Sequence, residues 1–339
     1  MPLKQLAAIA SLSLASLFAA APALAIDNGA YSHDATNGAY NPSWLGSLSD
    51  SLTLSQLSLP GTHDTMALYG GDIPEAQSMS LANQLNAGIR VLDIRCNHYY
   101  NSFYINHGPI YQFANFDDVL GAVKQFLQAN PRETVLMRVQ EEWTASGDTR
   151  AFWQTFQAYQ QKYPGLFWNY TGPNPTLGQV RGKVVLLQNF SAPQSFGIDY
   201  GSLNAQDNYV LTTNWDLYSK WTAVKNQLNA ANASGNNGVL YINYLSGSTG
   251  SFPYFVASGQ SSPQTSAPQL ATGLTTPGFS SYYPDFPRVA CFIGICSIVF
   301  EGTDKLTAER LGSYHHVGIL MSDFPGKDLI NGIISVNYR

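Results

Sequence analysis

Short runs of apolar, often β-branched residues recur along the chain and are separated by stretches with helix or loop signals. Several runs are apolar at consecutive positions, which is typical of strands buried on both faces. Eight such runs in 339 residues predict an α/β fold, a single-domain barrel of mainly parallel strands. The runs cover residues 56–59, 89–96, 103–106, 134–140, 183–188, 209–212, 238–244 and 317–322.

Helix signals lie between some of these runs, where prolines or a glycine follow the candidate helices and two aspartates open the first one. The space between the second and third runs is too short for a helix, so we expect an irregular barrel. The predicted helices cover residues 116–129, 149–162 and 220–233, and the predicted loops cover 174–182 and 258–287.

The second loop is long and rich in Ser, Thr, Pro and Gly, and a loop of that length is usually functional or mobile. Aromatic side chains concentrate in it and just before it. They either contact a lipid interface or fill the interior of the loop, and the sequence leaves both interpretations open. These residues are Phe252, Tyr254, Phe255, Phe279, Tyr282, Tyr283 and Phe286, with Pro253 and Pro287 beside them.

Charge is scarce in this chain, with 12% charged residues against about 25% in an average soluble domain. The formal net charge is −5, which argues against general nucleic-acid binding, because that requires clustered Lys and Arg. It also argues against binding to anionic membranes by charge alone.

The amino terminus has the form of a secretory signal peptide. Lys4 precedes an apolar run over residues 6–21, and Ala23 and Ala25 complete a small-residue cleavage site. A transmembrane anchor is disfavoured by these alanines and by the polar residues that follow them. We therefore expect a signal peptide over residues 1–25, a single barrel domain over 26–339, and a secreted, extracellular protein.

The three cysteines fit an exported protein. Cys291 and Cys296 lie close together, and a small disulfide loop is expected in an oxidising compartment. Cys96 lies in an apolar run and is expected to be a buried thiol rather than a catalytic one.

Polar and charged residues cluster at the carboxyl ends of the predicted strands, where the active sites of parallel barrels assemble. Residues two apart in a strand share a face, which brings together Asp93 with Arg95 and Arg138 with Gln140. The other members follow or end a run: His63 and Asp64 the first, His107 the third, and Asp323 the last.

This residue set suits cleavage of a phosphodiester. Histidine can serve as the base for an attacking hydroxyl or as the acid for a leaving alkoxide, since its pKa lies near neutrality. Arg95 can bind phosphoryl oxygens with several donors, and Asp323 can orient one imidazole. The alternatives are ordinary polar strand ends, with Asp93 simply paired to Arg95, and a divalent metal site, which the two arginines disfavour.

Three collinear motifs carry a resemblance to a known family. Leu-Pro-Gly-Thr-His-Asp at 59–64, Leu-Asp-Ile-Arg at 92–95 and Asn-His-Gly at 106–108 resemble bacterial phosphatidylinositol-specific phospholipase C in order and spacing. Weaker matches continue the resemblance from about residue 50 to the end of the chain. They lie at 131–137, 181–187, 206–209 and 321–324.

The resemblance implies a distorted (β/α)8 barrel and a phosphorus–oxygen lyase that needs no metal or other cofactor. His63 would take a proton from the inositol 2-hydroxyl, and His107 would protonate the leaving oxygen with help from Asp64. In the same scheme Asp323 orients His63, and Arg95 takes the place that calcium holds in metal-dependent relatives. Asp93 would support His107 or Arg95.

The resemblance also implies which residues bind the inositol ring, with two departures from the family. Asp207 and Tyr209 would contact or stack on the ring. Gln140 and Asn189 occupy the positions where the well-studied members carry a lysine and an arginine, so ring recognition is expected to differ. Arg138 lies two residues before Gln140 and is a candidate replacement for one of the missing charges.

The expected partner is phosphatidylinositol in a membrane, bound transiently by a monomeric protein, with no role for nucleic acid. Two alternatives remain. One is a barrel phosphodiesterase for glycerophosphodiesters or sphingomyelin, which the Gly-Thr-His-Asp motif and Arg95 disfavour. The other is an inositol- or lipid-binding module with a catalytically weak site, which the uncharged Gln140 and Asn189 would permit.

Overall fold

The structure, a computed structural model, describes residues 29–339, and the predicted signal peptide lies outside the described residues. The strands are β1 (Leu59–Thr62), β2 (Val91–Tyr99), β3 (Ser102–His107), β4 (Ile110–Asn115), β5 (Val135–Glu141), β6 (Val184–Asn189), β7 (Ile198–Asp199), β8 (Asn204–Gln206), β9 (Val210–Leu211), β10 (Tyr241–Tyr244), β11 (Ser248–Thr249), β12 (Ala271–Thr275), β13 (Arg288–Phe292), β14 (Ile295–Val299) and β15 (Ile319–Ser322). The helices are α1 (Leu81–Ala87), α2 (Phe116–Ala129), α3 (Phe152–Lys162), α4 (Leu177–Val180), α5 (Leu217–Ala233), α6 (Pro253–Ser258), α7 (Thr303–Arg310) and α8 (Lys327–Val336).

Eight parallel strands form a curled sheet in the order β7-β6-β5-β2-β1-β15-β10-β8. The two outer strands, β7 and β8, follow each other in the chain and are joined by the short 3₁₀ turn Tyr200–Ser202. Within residues 29–339 they do not pair with each other, so the barrel stays open at this seam. The predicted single-domain α/β barrel, distorted and irregular, is confirmed.

Two of the eight predicted runs are not barrel strands. β2 continues past the barrel, and its last residues pair with β3 in an antiparallel hairpin. Residues 103–106 therefore belong to this hairpin and do not form a barrel strand. Residues 209–212 contain β9, which pairs only with β11 in a separate small sheet. The two barrel strands that the sequence did not predict are β7 and β8, which are too short and too polar to produce an apolar run.

The first predicted run is displaced. Residues 54–56 form a 3₁₀ turn, and the strand itself begins at Leu59. This shift places the end of β1 directly before His63. The Pro-Gly pair inside β1 hides the strand from a search for apolar runs, because both residues are poor strand formers.

All three predicted helices are present, and two of them start at a different residue than predicted. α2 covers the predicted residues, and the Asn115 side chain accepts hydrogen bonds from the amides of Asp117 and Asp118 at its amino end. α3 starts three residues later than predicted and α5 three residues earlier. The two predicted loops contain the short helix α4 and the strand β12.

A buried ion pair closes the amino-terminal end of the barrel. Arg90 donates from Nε to Glu133 Oε2 at 2.7 Å, and neither side chain is exposed. The remaining donors of Arg90 reach the carbonyls of Leu85, Ile89, Asn41 and Pro42. The pair therefore joins the residue before β2 to the segment that precedes β1.

The cysteines are as predicted: Cys291 and Cys296 form a disulfide between β13 and β14, and Cys96 is a buried free thiol in β2. No helix within residues 29–339 combines the length and apolar character needed to cross a bilayer.

The aromatic residues before and within the second predicted loop divide between the two interpretations. Tyr254, Phe255 and Phe286 are buried and fill the interior of this region. Phe252, Phe279 and Tyr282 are exposed.

Candidate active site

The pairing of β1 with β15 brings His63 and Asp323 together. Thr62 lies opposite Ser322 in this parallel pair, so the residues that follow each strand are neighbours. His63 Nδ1 lies 2.8 Å from Asp323 Oδ1. Burial alone would lower the pKa of His63, but the Asp323 carboxylate outweighs it and the pKa is raised above its ordinary value.

Arg95 contacts the free side of the same imidazole. β2 places Asp93 and Arg95 on one face, and Arg95 Nη2 lies 2.9 Å from His63 Nε2. Asp93 Oδ2 accepts from Arg95 Nε and Nη2, both at 3.3 Å. Burial opposes the charge of both groups, yet the neighbouring arginines hold the pKa of Asp93 below its usual range, and the nearby carboxylates raise the pKa of Arg95.

His107 reaches the site from the hairpin of β3 and β4. Its Nδ1 lies 2.7 Å from the carbonyl oxygen of Pro74 and 3.3 Å from Asp64 Oδ2. A carbonyl can only accept, so Nδ1 carries the proton of a neutral ring and Nε2 is left for a ligand. The pKa of Asp64 is raised, because burial outweighs the charges of Arg95 and His107, which lower it.

These contacts join into one chain across the mouth of the barrel. Asp64 Oδ2 also lies 3.6 Å from Arg95 Nε, so the sequence of contacts runs Asp323–His63–Arg95–Asp64–His107. The imidazole side chains are 17% and 26% exposed, while Asp64 and Asp323 are buried. The two histidines are therefore open to a ligand, and the groups that orient them are not.

Asp93 supports Arg95 rather than His107, since its two oxygens bind Arg95 and Arg138. Arg138 Nη1 lies 3.1 Å from Asp93 Oδ1. The register of β2 and β5 explains this, because Asp93 is paired with Arg138 and Arg95 with Gln140.

The predicted ring-binding residues Arg138, Gln140 and Asn189 also lie together. Arg138 Nη2 donates to Gln140 Oε1. Asn189 Nδ2 donates to the same Gln140 oxygen at 2.9 Å. Gln140 and Asn189 are neighbours across β5 and β6, so this corner carries one guanidinium and two amides.

Asp207 and Tyr209 follow β8 and are both exposed. Neither side chain hydrogen-bonds to another site residue in the described part of the chain. Asp207 is close to the buried Lys220, whose pKa burial lowers to about 7 against the charges of Asp207 and Asp323. The structure therefore places these two residues at the edge of the site, next to the barrel seam.

Three site residues were missed in the sequence. Glu142 follows β5, accepts from the amide of Gly108 at 2.9 Å, and lies 3.9 Å from Arg95 Nη1. Tyr244 ends β10 and accepts from Arg138 Nη1 at 3.0 Å, and the ring of Tyr200 stacks on Arg138 at 4.4 Å. The position at a strand end could have identified Glu142 and Tyr244, whereas nothing in the sequence marks Tyr200.

A cleft of about 740 Å³ adjoins His107. It is enclosed by residues 70–74, by the turn at 107–110 and by residues 248–252, with Ile73, Ile110 and Phe252 in its lining. A largely apolar cleft therefore adjoins His107, and none of the charged site residues lines it.

The site mixes both signs of charge, and Arg95 is the cation that lies between its two imidazoles. Asp64, Asp93, Glu142 and Asp323 are interleaved with Arg95 and Arg138 rather than grouped as metal ligands. Within residues 29–339 no group of three or more His, Cys, Asp or Glu side chains has the arrangement of a metal site. The accessible donors and acceptors are the two imidazoles and the guanidinium between them.

Comparison with known proteins points to one family. A family model described as "Phosphatidylinositol-specific phospholipase C, X domain" matches residues 54–189. The 1-phosphatidylinositol phosphodiesterase of Listeria monocytogenes is 31% identical over 324 residues, which cover 89% of this chain and 86% of the relative. This chain belongs to the phosphatidylinositol-specific phospholipase C family.

Other members of the family agree. The 1-phosphatidylinositol phosphodiesterase of Staphylococcus aureus strain Newman is 27% identical over 235 residues, 61% of this chain and 75% of the relative. The solved phosphatidylinositol-specific phospholipase C of L. monocytogenes superposes with a TM-score of 0.62 at 26% identity, over 88% of this chain and 99% of that one. A structure of the S. aureus enzyme gives a TM-score of 0.64 at 22% identity, over 88% and 97% of the two chains, and supports the fold.

Family membership confirms the resemblance and the enzyme class predicted from the sequence. The matched X domain contains His63, Arg95 and His107, while Asp207 and Asp323 lie beyond it. The roles of individual residues stay predictions, now with a geometry that makes them specific.

Proposed function

We propose that this phospholipase C cleaves phosphatidylinositol to diacylglycerol and inositol 1,2-cyclic phosphate, with His63 as base and His107 as acid. The observation that carries the proposal is the unbroken chain of contacts Asp323–His63–Arg95–Asp64–His107. It provides two accessible imidazoles of different environment on either side of one fixed positive charge.

The base step follows from the contacts of His63. Asp323 occupies Nδ1, so Nε2 receives the proton of the inositol 2-hydroxyl while its oxygen forms the new bond to phosphorus. Asp323 stabilises the imidazolium that results, in agreement with the raised pKa of His63. Arg95 Nη2 donates to that nitrogen in this structure, and in the reaction it donates instead to a phosphoryl oxygen as charge develops there.

The acid step uses the other histidine. The Pro74 carbonyl accepts from Nδ1 of His107, and Asp64 lies beside the same nitrogen. The ring enters this step as the imidazolium, and its Nε2 gives a proton to the glycerol oxygen as the bond from that oxygen to phosphorus breaks. Diacylglycerol leaves as the neutral alcohol, and the phosphate remains as a five-membered ring on the inositol. The apolar cleft beside His107 is on the side where the glycerol part of the lipid would then lie.

The inositol ring is proposed to bind on the opposite side, toward Arg138, Gln140 and Asn189. Arg138 is neutralised by Asp93 and stacked on Tyr200, so this corner offers directional hydrogen bonds with little free charge. Asp207 and Tyr209 complete the ring site from the edge. Hydroxyl groups, rather than additional phosphates, fit such a surface.

We infer further that the protein acts outside the cell. The signal peptide pattern over residues 1–25 and the Cys291–Cys296 disulfide both support export, since structural disulfides persist in oxidising compartments.

The decisive experiment incubates the purified protein with phosphatidylinositol, or with phosphatidylcholine as a control, in excess chelator and follows the products by ³¹P NMR. We expect a cyclic phosphate from phosphatidylinositol only. His63→Ala and His107→Ala should each abolish formation of the cyclic phosphate. The control His315→Ala, at an exposed histidine before β15, should leave it unchanged. A product that appears only after calcium is added would refute the role of Arg95, and inositol binding without turnover would indicate a binding module.

A further inference from the structure

A lysine is buried next to the edge of the ring site. Lys220 lies in the first turn of α5 and is 2% exposed, on a helix whose other buried residues include Leu217 and Trp221. A buried lysine is rare unless its charge is paired, because burial removes the hydration of the ammonium. The amine has three donors, yet its one hydrogen bond within residues 29–339 is a long one to Gln206 Oε1, at 3.4 Å. A packing role alone would not require a charge at this position.

The hydrogen-bond partner of Lys220 holds the segment that follows β8. Gln206 Oε1 also accepts from the amide of Asn208 at 2.7 Å, and Gln206 Nε2 donates to the carbonyl of Tyr244 at 3.0 Å. Asp207 lies between Gln206 and Asn208, so one amide side chain fixes the backbone on both sides of it. Lys220 therefore contacts the segment that presents Asp207 to the ring site.

Charge also links Lys220 to the site. The groups that favour its ammonium form are Asp207 and, less strongly, Asp323. Asp323 is buried and already bound to His63, whereas Asp207 is exposed and its side chain has no hydrogen bond in the described part of the chain. Asp207 is therefore the group that this charge can hold.

The other titratable groups on the elements around α5 have partners of their own or are exposed. Tyr218, Lys225 and Arg310 bind Asp285, Lys305 binds Glu301, Asp216 accepts from Thr212 and Thr213, Tyr244 binds Arg138 and Tyr200, and Tyr241 binds Asn237. Glu309 is exposed, and Asp304 is buried near Asp323.

We propose that Lys220 is a positioning residue for the inositol site, and that its ammonium holds Asp207 in the orientation that binds ring hydroxyls. This inference rests on the proposed function, in which Asp207 contacts the ring. Hydroxyl groups donate to a carboxylate, and a carboxylate that is already oriented binds them at smaller entropic cost. Gln140 and Asn189 bring no charge to the ring site, and Lys220 supplies one from α5.

This role makes ring binding depend on pH. Burial lowers the pKa of Lys220 to about 7, against the charges of Asp207 and Asp323. The ammonium is therefore mostly present at about pH 6 and nearly absent at about pH 9. Lys220 should then strengthen ring binding at the lower pH and contribute little at the higher one. Free myo-inositol is a suitable probe because it has no group that titrates in this range.

The test measures binding of myo-inositol by NMR titration, which needs no turnover. Lys220→Met replaces the amine with an unbranched apolar side chain that suits a buried position. The matched control is Lys225→Met, on the same helix, where the lysine pairs with Asp285 instead. At about pH 6 we expect Lys220→Met to bind at least roughly fivefold more weakly than the wild type, and at about pH 9 the difference should fall below about twofold. The control should match the wild type at both pH values.

Two further measurements show where the charge acts. Adding Lys220→Met to Asp207→Asn should cause no further loss of affinity at about pH 6, because the two groups work as one. The kcat of Lys220→Met on a short-chain phosphatidylinositol dispersed as monomers should stay within about twofold of the wild type. A lower kcat with unchanged inositol affinity would place the effect on Asp323 and overturn the inference. So would a loss of affinity that is equal at both pH values.

Asp207→Asn covers the case in which Lys220→Met does not fold, because residue 207 is exposed. This variant should also lose more affinity at the lower pH than at the higher one, and an equal loss at both would overturn the inference. A wild type that binds myo-inositol but forms no cyclic phosphate would refute the proposed function, and the role of Lys220 would stand if the pH dependence holds. A wild type that binds no myo-inositol would overturn both.

Discussion

Replacing Asp304 with Asn should stabilise the protein increasingly as the pH rises. Asp304 lies in α7, is fully buried, and neither of its carboxyl oxygens has a hydrogen-bond partner in the described part of the chain. Burial raises its pKa well above the ordinary 3.8, and the nearby charge of Asp323 raises it further. The carboxyl is therefore expected to keep its proton in the folded protein to a higher pH than in the unfolded chain.

The magnitude follows from proton linkage. Above about pH 4 the unfolded chain releases this proton while the folded protein keeps it, so the unfolded state binds one proton fewer. The free energy of unfolding then falls by about 1.4 kcal/mol for each pH unit, until the folded pKa is reached. Asn has the same size as a neutral Asp and does not titrate, so Asp304→Asn removes this loss.

Urea unfolding at a series of pH values from about 5 to 8 measures the effect. The difference in unfolding free energy between Asp304→Asn and the wild type should widen by about 1.4 kcal/mol per pH unit. Asp34→Asn, on an exposed residue, controls for the loss of one carboxylate. A difference that stays constant over this range would show that Asp304 is ionised in the folded protein and would refute the reasoning.

Three further predictions concern the active site and the ion pair at the amino-terminal end of the barrel. Asp323→Asn should lower kcat by about 10²-fold or more and move the acid limb of kcat/KM to lower pH, because the raised pKa of His63 depends on that carboxylate; an unchanged acid limb would contradict this. Arg95→Lys keeps the charge but loses the planar fork that reaches His63, and kcat should fall by about 10²–10³-fold with the thermal midpoint nearly unchanged. Glu133→Gln leaves Arg90 buried without its carboxylate and should cost about 3–5 kcal/mol in urea unfolding, with activity per folded molecule retained.

The local sequence was enough to predict the enzyme family and much of the scaffold. Apolar runs identify β2, β5, β6, β10 and β15 because these strands are largely buried and therefore mostly apolar. The polar residues that interrupt or follow them, such as Arg95 and His63, stand out because unpaired burial would be costly.

Tertiary structure decided what lies next to what. Asp323 is far from His63 in sequence, and only the parallel register of β1 with β15 makes them partners. Asp93 could have supported either His107 or Arg95, and the pairing of β2 with β5 settles it in favour of Arg95 by placing Arg138 on its other side. The strands at the seam, β7 and β8, are too short to carry any periodicity of their own. They exist because their neighbours provide hydrogen-bonding edges, and that property belongs to the assembled sheet rather than to any stretch of residues.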